Sequence, residues 1–127
     1  MNKKGFTLIE VLIGLIILAI GLLALASLQI TSTRGNVFSN NLMQASYLAQ
    51  DRLESLKNMQ FDDANLSPAT HTDGAITIKF PGSDSGVVFN RSYRVLNNAA
   101  GYKEITCTIT WNDGVDHNIA VSTIRSR

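Results

Sequence analysis

Residues 6–28 constrain this chain more than any other segment does. They form a run of 23 residues in which Glu10 is the only charged side chain. About 20 mostly apolar residues suffice to cross a bilayer as a helix, and at about 1.5 Å per residue this run would span roughly 35 Å. The rest of the chain is polar enough to dissolve in water, so the sequence predicts a membrane segment joined to a soluble part.

The soluble part is small. Outside the predicted helix only about 70–90 residues remain, which is near the lower limit for a domain that stabilises its own core. We therefore expect the helix to continue past the membrane and to supply one wall of that core.

The segment that follows the apolar run has a helical pattern. Its apolar residues recur at steps of three and four, as on one face of an amphipathic helix: Phe38, Leu42, Ala45, Ala49, Leu53 and Leu56. The opposite face carries Asn41, Gln44, Asp51, Glu54 and Lys57. No proline interrupts the pattern, so we expect one helix over roughly residues 6–58, most easily loosened at Gly35.

Beyond residue 59 the periodicity changes to two, which predicts four half-buried strands. Their inward residues are Ile76, Ile78 and Phe80; Tyr93 and Val95; Ile105, Cys107, Ile109 and Trp111; and Ile119 and Val121. Asn112-Asp113-Gly114 is a hairpin signal between the last two strands. The sequence therefore predicts an α+β fold, in which the long helix covers one face of a small antiparallel sheet.

Charge indicates an orientation and gives no sign of a nucleic-acid partner. The net charge is +1, and without Lys3 and Lys4 nine Lys and Arg residues face ten Asp and Glu residues. Arg91 and Arg94 form only one small basic cluster, best explained as a solvated strand face. Basic residues before a membrane segment stay in the cytoplasm, so the soluble part is expected to face the periplasm or the exterior.

The sequence evidence for catalytic or metal-binding residues is weak. His71 and His117 lack Cys, His or Asp neighbours at the spacing of metal ligands. Asp62, Asp63 and Asn65 are too closely spaced for a calcium loop and are better explained as turn and capping residues. The single Cys107 is expected to be a small buried hydrophobe. We expect no enzymatic activity, no metal and no cofactor.

Three interpretations of the N-terminus stay open on composition alone. A secretory signal peptide could be cut after Ala26, although the apolar run is longer than usual and contains Glu10. A simple membrane anchor tolerates Glu10 near the cytoplasmic end, where a charge costs less than at the bilayer centre. Neither interpretation explains why a carboxylate is present.

A third interpretation comes from resemblance. The stretch Lys-Lys-Gly-Phe-Thr-Leu-Ile-Glu-Val-Leu, from Lys3 to Leu12, resembles the leader and N-terminus of type IV pilins and pseudopilins. The resemblance implies that a prepilin peptidase cuts between Gly5 and Phe6 and methylates the new amine of Phe6. It also implies that Glu10 pairs with the terminal amine of a neighbouring subunit during filament assembly.

This resemblance divides the chain into four parts. Residues 1–5 are a cytoplasmic leader, residues 6–28 are the transmembrane and filament-core half of the helix, residues 29–58 are its amphipathic half, and residues 59–127 are a periplasmic head. The subunit would sit in the inner membrane before assembly, and in an extracellular pilus or a periplasmic pseudopilus afterwards.

Two further stretches, Ala19–Gln29 and Tyr47–Glu54, together with the late Thr-Ile-Thr-Trp strand, resemble the minor pilins of the PilV group. This implies a low-abundance subunit that helps to start a pilus and sits at or near its tip, with other minor and major pilins and an adhesin as partners. Many major pilins have a proline where this chain has Ser27, and many close a disulfide that one cysteine cannot form. A minor pseudopilin of type II secretion, of the GspI kind, is the close alternative.

Overall fold

The computed structural model describes residues 5, 7–79, 82, 85–98 and 100–127. Lys3, Lys4, Phe6 and Phe80, for which the sequence made predictions, lie outside the described residues. The chain divides into two compact units, Met1–Val37 and Phe38–Arg127.

One helix, α1, runs over Leu8–Asn58, which is 51 residues. It begins two residues later than predicted, because Thr7 caps it, and it ends where predicted. The helix continues through Gly35 without interruption, so the predicted loosening is not seen in its bounds. A short 3₁₀ turn, Ala64–Leu66, follows.

The four predicted strands are present as β1 (Thr70–Lys79), β2 (Gly86–Asn97), β3 (Lys103–Asn112) and β4 (Asp116–Arg125). They form one antiparallel sheet in the order β1-β2-β3-β4, so each strand pairs with its neighbours in the chain. The C-terminal part of α1 packs on one face of this sheet. The α+β architecture predicted from periodicity is therefore confirmed.

The core lies between α1 and the inner face of the sheet. Register places Tyr93 opposite Cys107 and Val95 opposite Ile105, so an aromatic ring meets a thiol and two β-branched side chains meet across the central strands. The buried residues are Ala45, Leu48, Ala49, Leu53 and Leu56 of α1, Leu66 of the turn, and Phe89, Tyr93, Val95, Ile105, Cys107, Ile109 and Trp111 of the sheet. Most were predicted; Leu48, Leu66 and Phe89 were not.

Two predictions about the amphipathic half of α1 need correction. Asn41 was expected in solvent, but it is 1% exposed, and its side-chain amide donates to Asp113 Oδ2 at 3.0 Å. Phe38 was expected on the packed stripe, but it is 39% exposed, with its ring beside those of Trp111 and His117. Asp51, Glu54 and Lys57 are exposed, as predicted.

Strand β1 contains a bulge. The register with β2 shifts between Thr72 and Gly74, which leaves Asp73 unpaired in the ladder. Gly74 has a φ of 90°, a conformation that glycine adopts at little cost. The bulge turns the side chain of Asp73 toward α1, where it is only 15% exposed.

Candidate assembly site

The N-terminus of α1 is built around Thr7. The carbonyl oxygen of Thr7 accepts hydrogen bonds from the backbone N–H groups of Glu10 (3.0 Å) and Val11 (3.3 Å). Its hydroxyl oxygen accepts from the same Glu10 N–H at 3.3 Å. Threonine is a favoured N-cap because its side chain supplies an acceptor to an N–H that the helix leaves unpaired. Thr7 therefore fixes where the helix starts.

Glu10 lies in the first turn of α1 and is exposed to solvent. A carboxylate at this position is favoured, because the unpaired N–H groups of the first turn carry partial positive charge. Thr7 and Glu10 also have the spacing of a capping box. The helix start thus gives Glu10 a local role that the sequence analysis did not identify.

The other residues of the predicted site are only partly placed. Gly5 is exposed and lies before the helix. Phe6, the predicted methylation site, lies outside the described residues. The structure therefore brings Thr7 and Glu10 together at the helix start.

The apolar surface of the first half of α1 is uncovered. Leu8 is 79% exposed and Leu23 is 71% exposed. The most apolar 18-residue window of the helix has a mean hydropathy of 2.9, and none of it is buried. Among the described residues, α1 is the one helix long and apolar enough to cross a membrane. A helix that is apolar on all sides needs lipid or other helices around it.

The helix stays internally hydrogen-bonded as the sequence becomes polar. The hydroxyl of Thr31 donates to the carbonyl oxygen of Ser27, and that of Thr33 donates to the carbonyl oxygen of Gln29, each at 3.0 Å. Such bonds to the preceding turn satisfy a hydroxyl without water. These threonines can therefore lie close to an apolar environment at little cost.

An ionic cluster on the inner side of the sheet holds two arginines. Asp73 accepts from Arg52 at 2.7 Å and from Arg91 at 2.9 Å. Arg91 also donates to the carbonyl oxygen of Leu48 at 3.4 Å, and Arg52 lies over the ring of Tyr93. The prediction that Arg91 is solvated is wrong, because the bulge brings Asp73 to it. Arg94, on the outer face, is exposed as predicted.

A second polar cluster lies at the β3–β4 hairpin. Asp113 accepts from Asn41 and pairs with Nε2 of His117 at 2.9 Å. Burial raises the pKa of Asp113, but the hydrogen bonds from Asn41 and His117 outweigh it and lower the pKa below its ordinary value. The predicted hairpin is confirmed, with Gly114 at a φ of 110°.

The remaining candidate residues have structural contacts. Asp63 caps the 3₁₀ turn by accepting from the backbone and side-chain nitrogens of Asn65 at 2.9 and 3.0 Å, which confirms their predicted role. His71 stacks on Tyr93 at 4.7 Å. Cys107 is buried, as predicted, and burial raises the pKa of its thiol to about 11. In the part of the chain that the structure describes, no three His, Cys, Asp or Glu residues are grouped to hold a metal.

The comparison with known families gives one result. The model of the prokaryotic N-terminal methylation motif matches residues 1–26. No curated protein and no solved structure matches the chain. The matched segment contains Gly5, Phe6 and Glu10 and ends inside the apolar part of α1.

Proposed function

We infer that the chain is a structural subunit of the type IV pilin and pseudopilin class, processed by a prepilin peptidase and anchored in the inner membrane before assembly; the motif match and the fold support this inference. We propose that the chain is a minor type IV pilin. In this role it helps to start a pilus and sits at or near the tip, alongside other pilins and an adhesin.

The observation that carries this proposal is the apolar, uncovered first half of α1 with a single carboxylate in its first turn. A signal peptide is discarded after cleavage and needs neither the carboxylate nor the continuation into a 51-residue helix. A filament subunit needs both, because its helix must pack among other helices after it leaves the lipid.

Glu10 would act as the assembly residue. Inside a bundle of apolar helices, an unpaired carboxylate or an unpaired ammonium costs several kcal/mol. If cleavage leaves an N-methylated amine on Phe6, docking that amine of one subunit against Glu10 of its neighbour removes both penalties. The pair would also define the axial step between the two subunits.

The orientation follows from the basic leader. Lys3 and Lys4 hold the N-terminus in the cytoplasm, where the peptidase cuts between Gly5 and Phe6, and the C-terminal unit lies in the periplasm. Assembly then moves the subunit into an extracellular pilus.

The choice of a minor pilin rests on resemblance to the PilV group, on Ser27 and on the single cysteine. A minor pseudopilin of type II secretion has the same leader, helix and small sheet. The two differ in where the assembled protein is found, outside the cell or in the periplasm.

The test is mass spectrometry of the N-terminal peptide, on protein sheared from the cell surface. A peptide that starts at N-methylated Phe6 is expected, in small amount relative to the main pilus subunit. A peptide starting at Ser27 would overturn the proposal in favour of a secreted domain. A methylated peptide found only in the periplasm, with loss of secretion on deletion, would establish the pseudopilin.

A further inference from the structure

The sheet has two open edges that differ in character. β1 and β4 each pair with one neighbouring strand among the described residues. β1 is interrupted by the bulge at Asp73 and by Gly74, two features that discourage another strand from pairing along its whole length. β4 pairs with β3 without any register shift. Residues 118–124 of β4 contain no charge, no proline and no glycine.

An edge of this kind is uncommon in a protein that works alone. Natural sheets usually blunt long regular edges with charges, proline or bulges, because an unpaired strand is a template for another chain. The seven residues from Asn118 to Ile124 lack all three protections. Strand addition along β4 would pair the backbone groups that now face solvent.

The inner face of the sheet is also only partly covered at both edges. Ile76 and Ile78 of β1, and Ile119 and Val121 of β4, pack on the core but remain partly exposed. A groove of about 430 Å³ runs between β4 and α1, lined by Leu53, Glu54, Lys57 and Val121 among others. A second groove of about 290 Å³ lies between β1 and α1, lined by Met43, Gln44, Tyr47 and Ile78.

The topology decides which strand can be added. Neighbouring strands are antiparallel and the sheet has four of them, so β1 and β4 run in opposite directions. In a filament, subunits are related by rotation about the axis and translation along it, so they all point the same way. A neighbour in the same direction presents its β1 antiparallel to β4. Pairing β4 with β4 instead requires a two-fold axis, which reverses one subunit.

We propose that β4 accepts β1 of a second, like-oriented copy of this chain, so that the two four-stranded sheets join into one antiparallel sheet. The like orientation rests on the proposed filament function. The contact is heterologous, since each copy keeps one unused edge and can add another copy.

The side chains select one register. Ile78 of the second copy opposite Ile119 also places Ile76 of that copy opposite Val121, so all four half-covered apolar side chains pair on the inner face. The inner and outer faces of the two sheets also match in this register. The four apolar residues face inward, and Thr77 and Ala120, which are opposite each other, face outward. Lys79 then lies opposite Asn118, one diagonal step from Asp116.

A competing register, shifted by two residues, puts Lys79 directly opposite Asp116. It leaves Val121 opposite Gly74, which has no side chain to pack. The shifted register keeps one apolar pair, Ile76 opposite Ile119. It gives up a second apolar pair, which would remove apolar surface from water, for an exposed ion pair, which contributes little. The apolar register is therefore favoured.

Cysteine cross-linking in the membranes of cells that produce the full chain tests the pairing. Thr77→Cys combined with Ala120→Cys places two thiols directly opposite each other, within disulfide reach. Mild oxidation is expected to give a ladder of dimers and larger species on a non-reducing gel. Ala75→Cys with Ala120→Cys is the matched control; its thiols lie on a diagonal of about 7–8 Å, so several-fold less product is expected. The unsubstituted chain, whose Cys107 is buried, should give no product.

Each of the remaining outcomes contradicts one specific part of the proposal. Covalent dimers from Ala120→Cys alone would show β4 pairing with β4. More product from the Ala75 pair than from the Thr77 pair would overturn the register. No product from the Thr77 pair, in chains whose Phe6 is methylated, would overturn the joined sheet and leave the proposed function standing. Chains that start at Ser27 would overturn the proposed function whatever the gel shows.

Discussion

The ammonium group of Lys103 lies 2.6 Å from the carbonyl oxygen of Phe61 and 2.9 Å from that of Leu66, at a residue that is only 7% exposed. The same ammonium sits over the ring of Phe61 at 4.5 Å. Lys103 occupies an inward position of β3, in series with Ile105 and Cys107. It fastens the loop after α1 to the sheet and satisfies two carbonyl groups there.

Lys103→Met is expected to lower the free energy of unfolding by about 1–3 kcal/mol, because it leaves those carbonyls without their donor. Urea unfolding followed by circular dichroism measures the change. Glu104→Gln, at the next residue but exposed, is the control and should change stability by less than about 0.5 kcal/mol. Equal stability of the Lys103 variant and the wild type would contradict the fastening role.

Arg125 closes the C-terminal end of α1. Its guanidinium donates to the carbonyl oxygen of Leu56 at 2.9 Å and to that of Met59, and cations are favoured at this end of a helix. Arg125→Ala should cost about 1–2 kcal/mol of stability. The exposed Arg94→Ala is the control. If thermal unfolding shows the same loss for both variants, general charge removal rather than helix capping explains it.

The hairpin cluster predicts an acid-sensitive contribution to stability. The pKa of Asp113 is lowered in the folded state, so its contribution is present above the ordinary aspartate pKa of about 4 and is lost as the pH falls through the lower folded value. Asp113→Asn should therefore flatten the fall in unfolding free energy below about pH 4. An identical slope in the variant and the wild type would rule out this role for Asp113.

Cys107 should be inert in the folded protein. Because burial raises the pKa of its thiol to about 11, little thiolate forms near neutral pH, and the side chain is fully covered. Alkylation by iodoacetamide, followed by intact mass, should be slow in buffer and complete in urea. Rapid alkylation of the folded chain would show that the core opens around β3.

Glu10→Ala is expected to insert in the membrane normally and to be depleted from sheared filaments, because the terminal amine of a neighbour loses its partner. Glu10→Gln, which keeps the size and one acceptor oxygen but loses the charge, should be depleted as well if charge is what matters. Immunoblots of membrane and sheared fractions compare the two pools. Wild-type amounts of the Ala variant in filaments would contradict the assembly role.

The periodic segments of the sequence were the easiest to interpret. Apolar residues at steps of three and four predicted α1, and apolar residues at every second position predicted all four strands. Together they predicted most of the core, because each buried face repeats at the period of its element. The hairpin at Asn112–Gly114 and the cap at Asp63 also followed from local preferences. These features depend on neighbours in the chain.

The features that were not predicted from the sequence depend on contacts between residues that are far apart in the chain. Asn41 is a polar residue at a polar position of the helix pattern, and only Asp113, 72 residues away, explains its burial. Arg91 was misjudged because the bulge that delivers Asp73 has no clear sequence signal apart from Gly74. The burial of Lys103 was not predicted either, because a lysine is almost never fully buried unless it is paired. Of the proposed assembly site, Gly5, Phe6 and Glu10 were predicted from the sequence, and the structure added Thr7.

The cap at Thr7 has a consequence for processing. Among the described residues, the hydrogen bonds that start the helix are accepted by Thr7, which follows the bond between Gly5 and Phe6 in the chain. The capping hydroxyl and carbonyl both belong to Thr7, which stays with the mature chain after a cut at that bond. A cut before Phe6 would thus exchange a basic peptide for a single amine while the mature chain keeps the Thr7 cap, so its main effect would be on the electrostatics of the N-terminus.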